Sequence, residues 1–182
     1  MKSIEENLTQ YAAYHRDRRN IATHFCGVPM IVFSVVLALA TMSFSVGTVP
    51  VTLAAIVSIA ACLYYFRLDF VFGVTMAVVL FLMCAASSEI IQRLGIGASL
   101  GVALAVFVIG WAIQGLGHKF EGVKPAFFDD AKQLLIGPVF VCAEVYFIAG
   151  ARGPIRRHIE ERVGPTCGKR NGRPLPIFES DI

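Results

Sequence analysis

The sequence predicts an all-α integral membrane protein: a helical bundle of four to five membrane segments preceded by an N-terminal amphipathic helix. Three observations lead there. Apolar residues make up 56% of the 182-residue chain and mean hydropathy is +0.67, against about 45–50% apolar in an ordinary soluble domain. Charged residues make up 16%, where about 25% is usual. The apolar excess is gathered into blocks of the length that a bilayer core of about 30 Å demands, separated by short polar stretches.

The first element is an amphipathic helix over residues 3–18. Ser3 and Glu6 form a capping-box pattern. Ile4, Leu8, Tyr11 and His15 follow at spacings of four, three and four, so they share a face. Such a helix lies on the membrane surface or packs over the bundle.

Five apolar segments come next. Residues 25–46 carry no charge, and Pro29 is tolerable in a first turn or at a kink. Residues 48–66 come after the turn-forming run Val46-Gly47-Thr48-Val49-Pro50. Arg67-Leu68-Asp69 is so short a link that the next segment, 70–88, pairs with the previous one as an antiparallel hairpin. Glu89, Gln92 and Arg93 mark an interface. The fourth segment, 96–117, carries Gly97, Gly101 and Ala105, a small-residue stripe that allows close helix packing. The fifth, 134–151, is short and contains Gly137-Pro138 and Glu144. It either crosses fully or is re-entrant. A buried Glu144 fits both versions, given a partner or a proton. Residues 154–163 form a short amphipathic helix with Ile155, Ile159 and Val163 on one side, stopped by Gly164-Pro165. Residues 1–163 are therefore expected to be a single membrane domain, and 164–182 a mobile basic tail.

Positive charge sets the orientation. Arg16, Arg18 and Arg19 precede the first span, and the loop after that span carries no charge, which places the N-terminus in the cytoplasm. Four crossings return the chain there at His118, where Lys119, Lys124 and Lys132 agree. Residues 1–20 are polar, so no cleavable signal peptide is expected. The net charge of +3 suits anionic headgroups. No basic stripe with interleaved aromatics points to nucleic acid. Cys26, Cys62, Cys84, Cys142 and Cys167 form no C-x-x-C pair and read as small packing residues.

The chemistry is carried by histidines. His15, His24 and His118, three of only four in the chain, fall at one expected depth on one face of the membrane, where they can share a metal. Nine residues apart on a straight helix, His15 and His24 would point to opposite sides. They converge only if the chain breaks between them, and Asn20 and Thr23 are natural end-and-restart residues. The surface helix is thus expected to end near Arg19 and the membrane helix to start near Thr23. Glu121 lies three residues after His118 and is a candidate fourth ligand on the same helical face. Imidazoles plus a carboxylate with an open position suit iron(II). Asn20, with Tyr14 and Gln114, is placed to fix imidazole orientation. Lys119 and Lys124 read as headgroup-facing, with a substrate carboxylate as the alternative partner. His158 reads as a solvated surface histidine.

Tyr14-His15, Asn20, His24 and Gly27-Val28-Pro29 resemble the opening motif of the Mpo1-like family. Trp111, Gln114, Gly117-His118-Lys119-Phe120-Glu121 and Lys124-Pro125-Ala126 resemble its second motif, and Gly137-Pro138-Val139-Phe140 with Glu144 its third. The likeness covers residues 8–150. It implies an iron(II)-dependent dioxygenase that performs α-oxidation of 2-hydroxy fatty acids, with His15, His24 and His118 at the iron-site positions. The spacing to Glu121 is less regular in the family. The implied partners are a 2-hydroxy fatty acid, dioxygen and membrane lipid, and the implied cofactor is Fe(2+). The compact chain suggests a bacterial inner membrane, or the endoplasmic reticulum in a eukaryote. Two other readings remain open on the same residues: a zinc-dependent membrane lipid hydrolase, and a non-catalytic lipid-binding membrane protein.

Overall fold

A computed structural model describes residues 2–125 and 130–168, apart from the side chains of Val46 and Val49. Ala126 of the second motif and residues 169–182 of the basic tail lie outside the described residues. Among the described residues the regular elements are helices apart from one small β-hairpin, so the all-α expectation holds with that addition. It divides into two compact units. One comprises residues 1–28 and 112–182, the other residues 29–111.

The unit that contains both chain ends opens with α1 (Ile4–Ala12). The capping box forms as expected: the Glu6 amide donates to Ser3 Oγ at 3.2 Å, and the Ser3 amide donates to Glu6 Oε2 at 2.7 Å. Ile4, Leu8 and Tyr11 are buried together. The helix is shorter than the expected 3–18 stretch, and His15 lies beyond its end. The chain breaks at residues 13–17, where the Arg16 and Asp17 amides donate to the Glu121 carboxylate instead of continuing the helix. Local periodicity cannot show a partner more than a hundred residues away.

Helix α2 (Arg18–Ala40) starts at once, ahead of the expected Thr23. Asp17 caps it, with Oδ1 accepting from the Arg19 amide at 2.9 Å. Asn20 and Thr23, expected at the break, are inside the helix, and Thr23 Oγ1 donates back to the Asn20 carbonyl. Later in this unit come α5 (Gln133–Ile148) and α6 (Gly153–Val163), both packed on α1. They meet at a bend of 110°, with Gly150 and Arg152 at positive φ. Ile155, Ile159 and Val163 are buried, as the amphipathic pattern requires.

In the other unit, α2 ends at Ala40 and not at Val46. Antiparallel strands β1 (Ser43–Val46) and β2 (Val49–Thr52) come next, in the register Ser43↔Thr52 to Val46↔Val49. The two-residue link places Gly47 at φ 64°, which favours glycine. Thr52 caps α3 (Leu53–Leu68). A single residue, Asp69, separates it from α4 (Phe70–Glu121) and caps the new helix at the Phe72 amide. A Cβ on Gly73 would lie 2.9 Å from the Phe66 Cα. Ser58 meets Cys84 further along, so the expected antiparallel hairpin forms.

Helix α4 is broken once, at Gly95, whose φ of 75° and ψ of 169° are not helical. The break divides it into residues 70–94 and 96–121. At about 1.5 Å per residue, both parts exceed the roughly 30 Å of a bilayer core. Large apolar side chains such as Phe70, Phe81, Leu63 and Leu104 stay exposed, which suits lipid rather than water. Among the described residues, two helices, α2 and the broken α4, are long and apolar enough to cross a membrane, or up to three if the bent α5–α6 pair is one span. The 16-residue α3 is shorter than a straight crossing needs.

Candidate metal centre

Tyr11, at the last turn of α1, presents its carbonyl to the residue that lies one turn beyond the helix. His15 Nδ1 lies 2.7 Å from that carbonyl oxygen, and the Tyr11 and His15 rings stack at 4.1 Å and 5°. In α2 the same arrangement recurs four residues apart: His24 Nδ1 lies 2.9 Å from the Asn20 carbonyl. A carbonyl only accepts, so each Nδ1 carries the proton and each Nε2 keeps its lone pair. His118 comes from the last turn of α4, in the same unit.

The three rings converge. Centroid distances are 4.5 Å for His15–His24, 5.0 Å for His15–His118 and 5.3 Å for His24–His118. One ligating nitrogen from each lies within 4.8 Å of the others. Three nitrogens within 4.8 Å of one another lie at most about 2.8 Å from a common point, so binding one ion at about 2.1 Å needs each to move in by less than about an ångström. His15 and His24 are each only 1% exposed. His15 Nε2 and His118 Nδ1 are buried with no hydrogen-bond partner. Burial and then the neighbouring His24 and His118 hold the His15 imidazole well below its ordinary pKa of 6.5. It is therefore neutral at pH 7, the form a metal ligand needs. The donor set fits a metal ion.

Glu121, expected as a fourth ligand, is engaged elsewhere. It is fully buried. Its Oε1 accepts from the Arg16 amide at 2.9 Å, and its Oε2 accepts from the Asp17 amide at 3.0 Å and from Asn20 Nδ2 at 2.9 Å. The carboxylate thus joins the end of α4 to the break after α1 and to the residue whose carbonyl orients His24. Asn20 acts on the imidazole through its backbone, while Tyr14 reaches the cluster with its carbonyl, 3.5 Å from Asn20 Nδ2. No hydrogen bond from Gln114 to an imidazole is found among the described residues. Lys119 and Lys124 are exposed. His158 lies in a cleft with Ser3, Glu5 and Arg162 and is not part of the cluster.

The partners in several further contacts had no signal in the sequence, although the need of Glu144 for one did. A Cβ on Gly117 would lie 2.0 Å from Thr23 Oγ1 and 2.4 Å from Asn20 Oδ1, so α2 and α4 touch backbone to side chain there. Phe140 of α5 packs on Tyr11 at 4.8 Å and lies 5.7 Å from His15. Buried Arg16 donates to the Ala12, His15 and Gly164 carbonyls and pairs with Glu144 at 3.7 Å. Glu144 therefore supports the His15 turn through an arginine. Residues 164–168 complete the brace: the Cys167 amide donates to the Arg16 carbonyl, and the Arg18 amide to the Cys167 carbonyl. The i, i+4 spacing of Tyr11 and His15 was a second visible hint.

Fold and site thus define a helical protein with membrane-length apolar helices and a buried three-histidine cluster able to hold a metal. The family model described as "2-hydroxy-palmitic acid dioxygenase Mpo1-like" matches residues 1–148. The chain is also similar to "2-hydroxy-palmitic acid dioxygenase MPO1" of Saccharomyces cerevisiae (strain ATCC 204508 / S288c), 28% identical over 159 residues, covering 86% of this chain and 87% of the relative. No solved structure matches. The chain belongs to the Mpo1-like family.

Proposed function

We propose that this protein is an iron(II)-dependent dioxygenase that shortens 2-hydroxy fatty acids by one carbon. The observation that carries this reading is the cluster of His15, His24 and His118, with His15 Nε2 and His118 Nδ1 free of hydrogen bonds, in a chain whose relative is a 2-hydroxy-palmitic acid dioxygenase. Three imidazoles without thiolate suit iron, zinc, copper or nickel. Oxidation by dioxygen needs a redox-active metal, which favours iron over zinc.

The overall change balances. R–CH(OH)–COOH plus O2 gives R–COOH, CO2 and H2O; the acid gives up four electrons and dioxygen accepts four. No 2-oxoglutarate or nicotinamide is needed. Bound iron(II) supplies the activation of dioxygen. The chain's own groups do the rest. Backbone carbonyls of Tyr11 and Asn20 hold two imidazoles in the ligating tautomer, Glu121 locks the break that carries His15, and Tyr11 with Phe140 shields the cluster from water.

We also propose four crossings, by residues 18–40, 53–68, 70–94 and 96–121, with the site on the cytoplasmic face of a bacterial inner membrane. The short α3 would cross by thinning or snorkelling at its ends, and α5–α6 would be re-entrant. The function is tested by anaerobic purification with metal analysis, then by oxygen uptake on adding 2-hydroxypalmitate. Iron in the protein and oxygen uptake that disappears in His118→Ala are expected. Turnover without oxygen, or with zinc alone, would refute the assignment.

A further inference from the structure

We propose that Gln114 recognises the 2-hydroxyl group of the substrate and so determines specificity for 2-hydroxy acids over plain fatty acids. This rests on the proposed reaction above. Three observations carry it. The buried positions at the end of α4 are Gln114, Gly117 and Glu121, with His118 half-buried among them, while Gly115, Leu116 and Lys119 are exposed. They form one helical stripe. That stripe meets α2 in antiparallel register: Glu121 meets Asp17 and Asn20, and Gly117 meets Asn20 and Thr23. Continued by one helical turn, that register sets Gln114 opposite the turn of α2 after Thr23, one turn from His118 toward the apolar length of the helix.

Gln114 is 8% exposed, and its Oε1 is buried with no hydrogen-bond partner among the described residues. A buried amide oxygen left unpaired is unfavourable, and a ligand hydroxyl removes that penalty. The task that would otherwise explain a polar side chain here, orienting an imidazole, is done by backbone groups: the Tyr11 and Asn20 carbonyls for His15 and His24, and the Val123 backbone for His118. A 2-hydroxyl both donates and accepts, so it pairs with whichever end of the amide faces it. A fatty acid lacking that hydroxyl leaves the amide unpaired and is rejected.

The test uses the full chain in detergent, loaded with iron(II) and kept anaerobic, with binding of 2-hydroxypalmitate and palmitate measured by equilibrium dialysis. The wild type is expected to hold the hydroxy acid about tenfold tighter or more, the worth of one satisfied polar group. Gln114→Leu is expected to bind both acids alike. Its metal-free thermal stability should be equal to or above wild type, because the variant removes an unsatisfied group. Retained preference in Gln114→Leu overturns the proposal. So does a variant that loses both acids equally and melts earlier, because Gln114 would then be a structural residue. If the wild type itself does not distinguish the acids while His118→Ala abolishes oxygen uptake on 2-hydroxypalmitate, the specificity role falls and the dioxygenase reading stands. If no oxygen is taken up at all, the dioxygenase reading falls first.

Discussion

Glu121→Ala separates a carboxylate that builds the site from one that ligates the metal. The substitution strands the Arg16 and Asp17 amides and Asn20 Nδ2, three donors now 2.9–3.0 Å from a fully buried carboxylate. Hydrogen bonds to a charged group are worth about 1.5–3 kcal/mol each, and such effects on neighbours are not additive. A loss of about 3–6 kcal/mol is therefore expected, already present without any metal. Glu121→Gln keeps one oxygen but turns an NH2 toward one set of donors, so it should fall between wild type and Glu121→Ala. The assay is denaturant unfolding of metal-free protein in detergent, together with iron content after loading. Metal-free stability equal to wild type, with iron lost, would refute the bracing role and restore Glu121 as a ligand.

The same contacts make three more predictions. Gly117→Val pushes a branched side chain into Thr23 and Asn20 and should cost about 1–3 kcal/mol by overpacking while reducing bound iron; wild-type melting and iron content would contradict the close approach. Cys167→Pro removes the amide that donates to the Arg16 carbonyl and should destabilise by about 1 kcal/mol, whereas Cys167→Ala, which keeps that amide, should be milder in the same unfolding assay. In metal-free protein the His15 imidazole is held below 6.5 while the unfolded chain titrates near 6.5. The unfolded state then binds more protons below that value, so stability falls as pH drops through about 6.5. Unfolding midpoints at pH 8 and about pH 5.5 should show this fall, and His15→Asn should make it shallower.

Much of the architecture was legible because it depends on local chemistry. Ser3 and Glu6 announce a capping box, Ile155 with Ile159 and Val163 a buried stripe, and Arg67-Leu68-Asp69 a tight helical hairpin. Element ends were less legible where distant groups decide them. The chain breaks at residues 13–17 because Glu121 takes its amides and Asp17 caps α2 there, which leaves Asn20 and Thr23 inside that helix. The helix before the hairpin stops at Ala40 because residues 43–52 pair as strands, a preference hidden in an apolar run. Gly95 alone, and not the polar group Glu89 to Arg93, marks the break in α4, since only its backbone leaves the helical region. In the site, the convergence of His15, His24 and His118 could be anticipated from charge-based topology. The use of backbone carbonyls to orient imidazoles could not, because every residue has one.

The central claim is that one ion is held by three imidazoles from separate parts of the chain. X-ray absorption of the anaerobic iron-loaded protein tests it most directly. One iron per chain with three histidine nitrogens at about 2.1 Å is expected, falling to two in His118→Ala. An iron environment without imidazole scattering, or one that His118→Ala leaves unchanged, would contradict it.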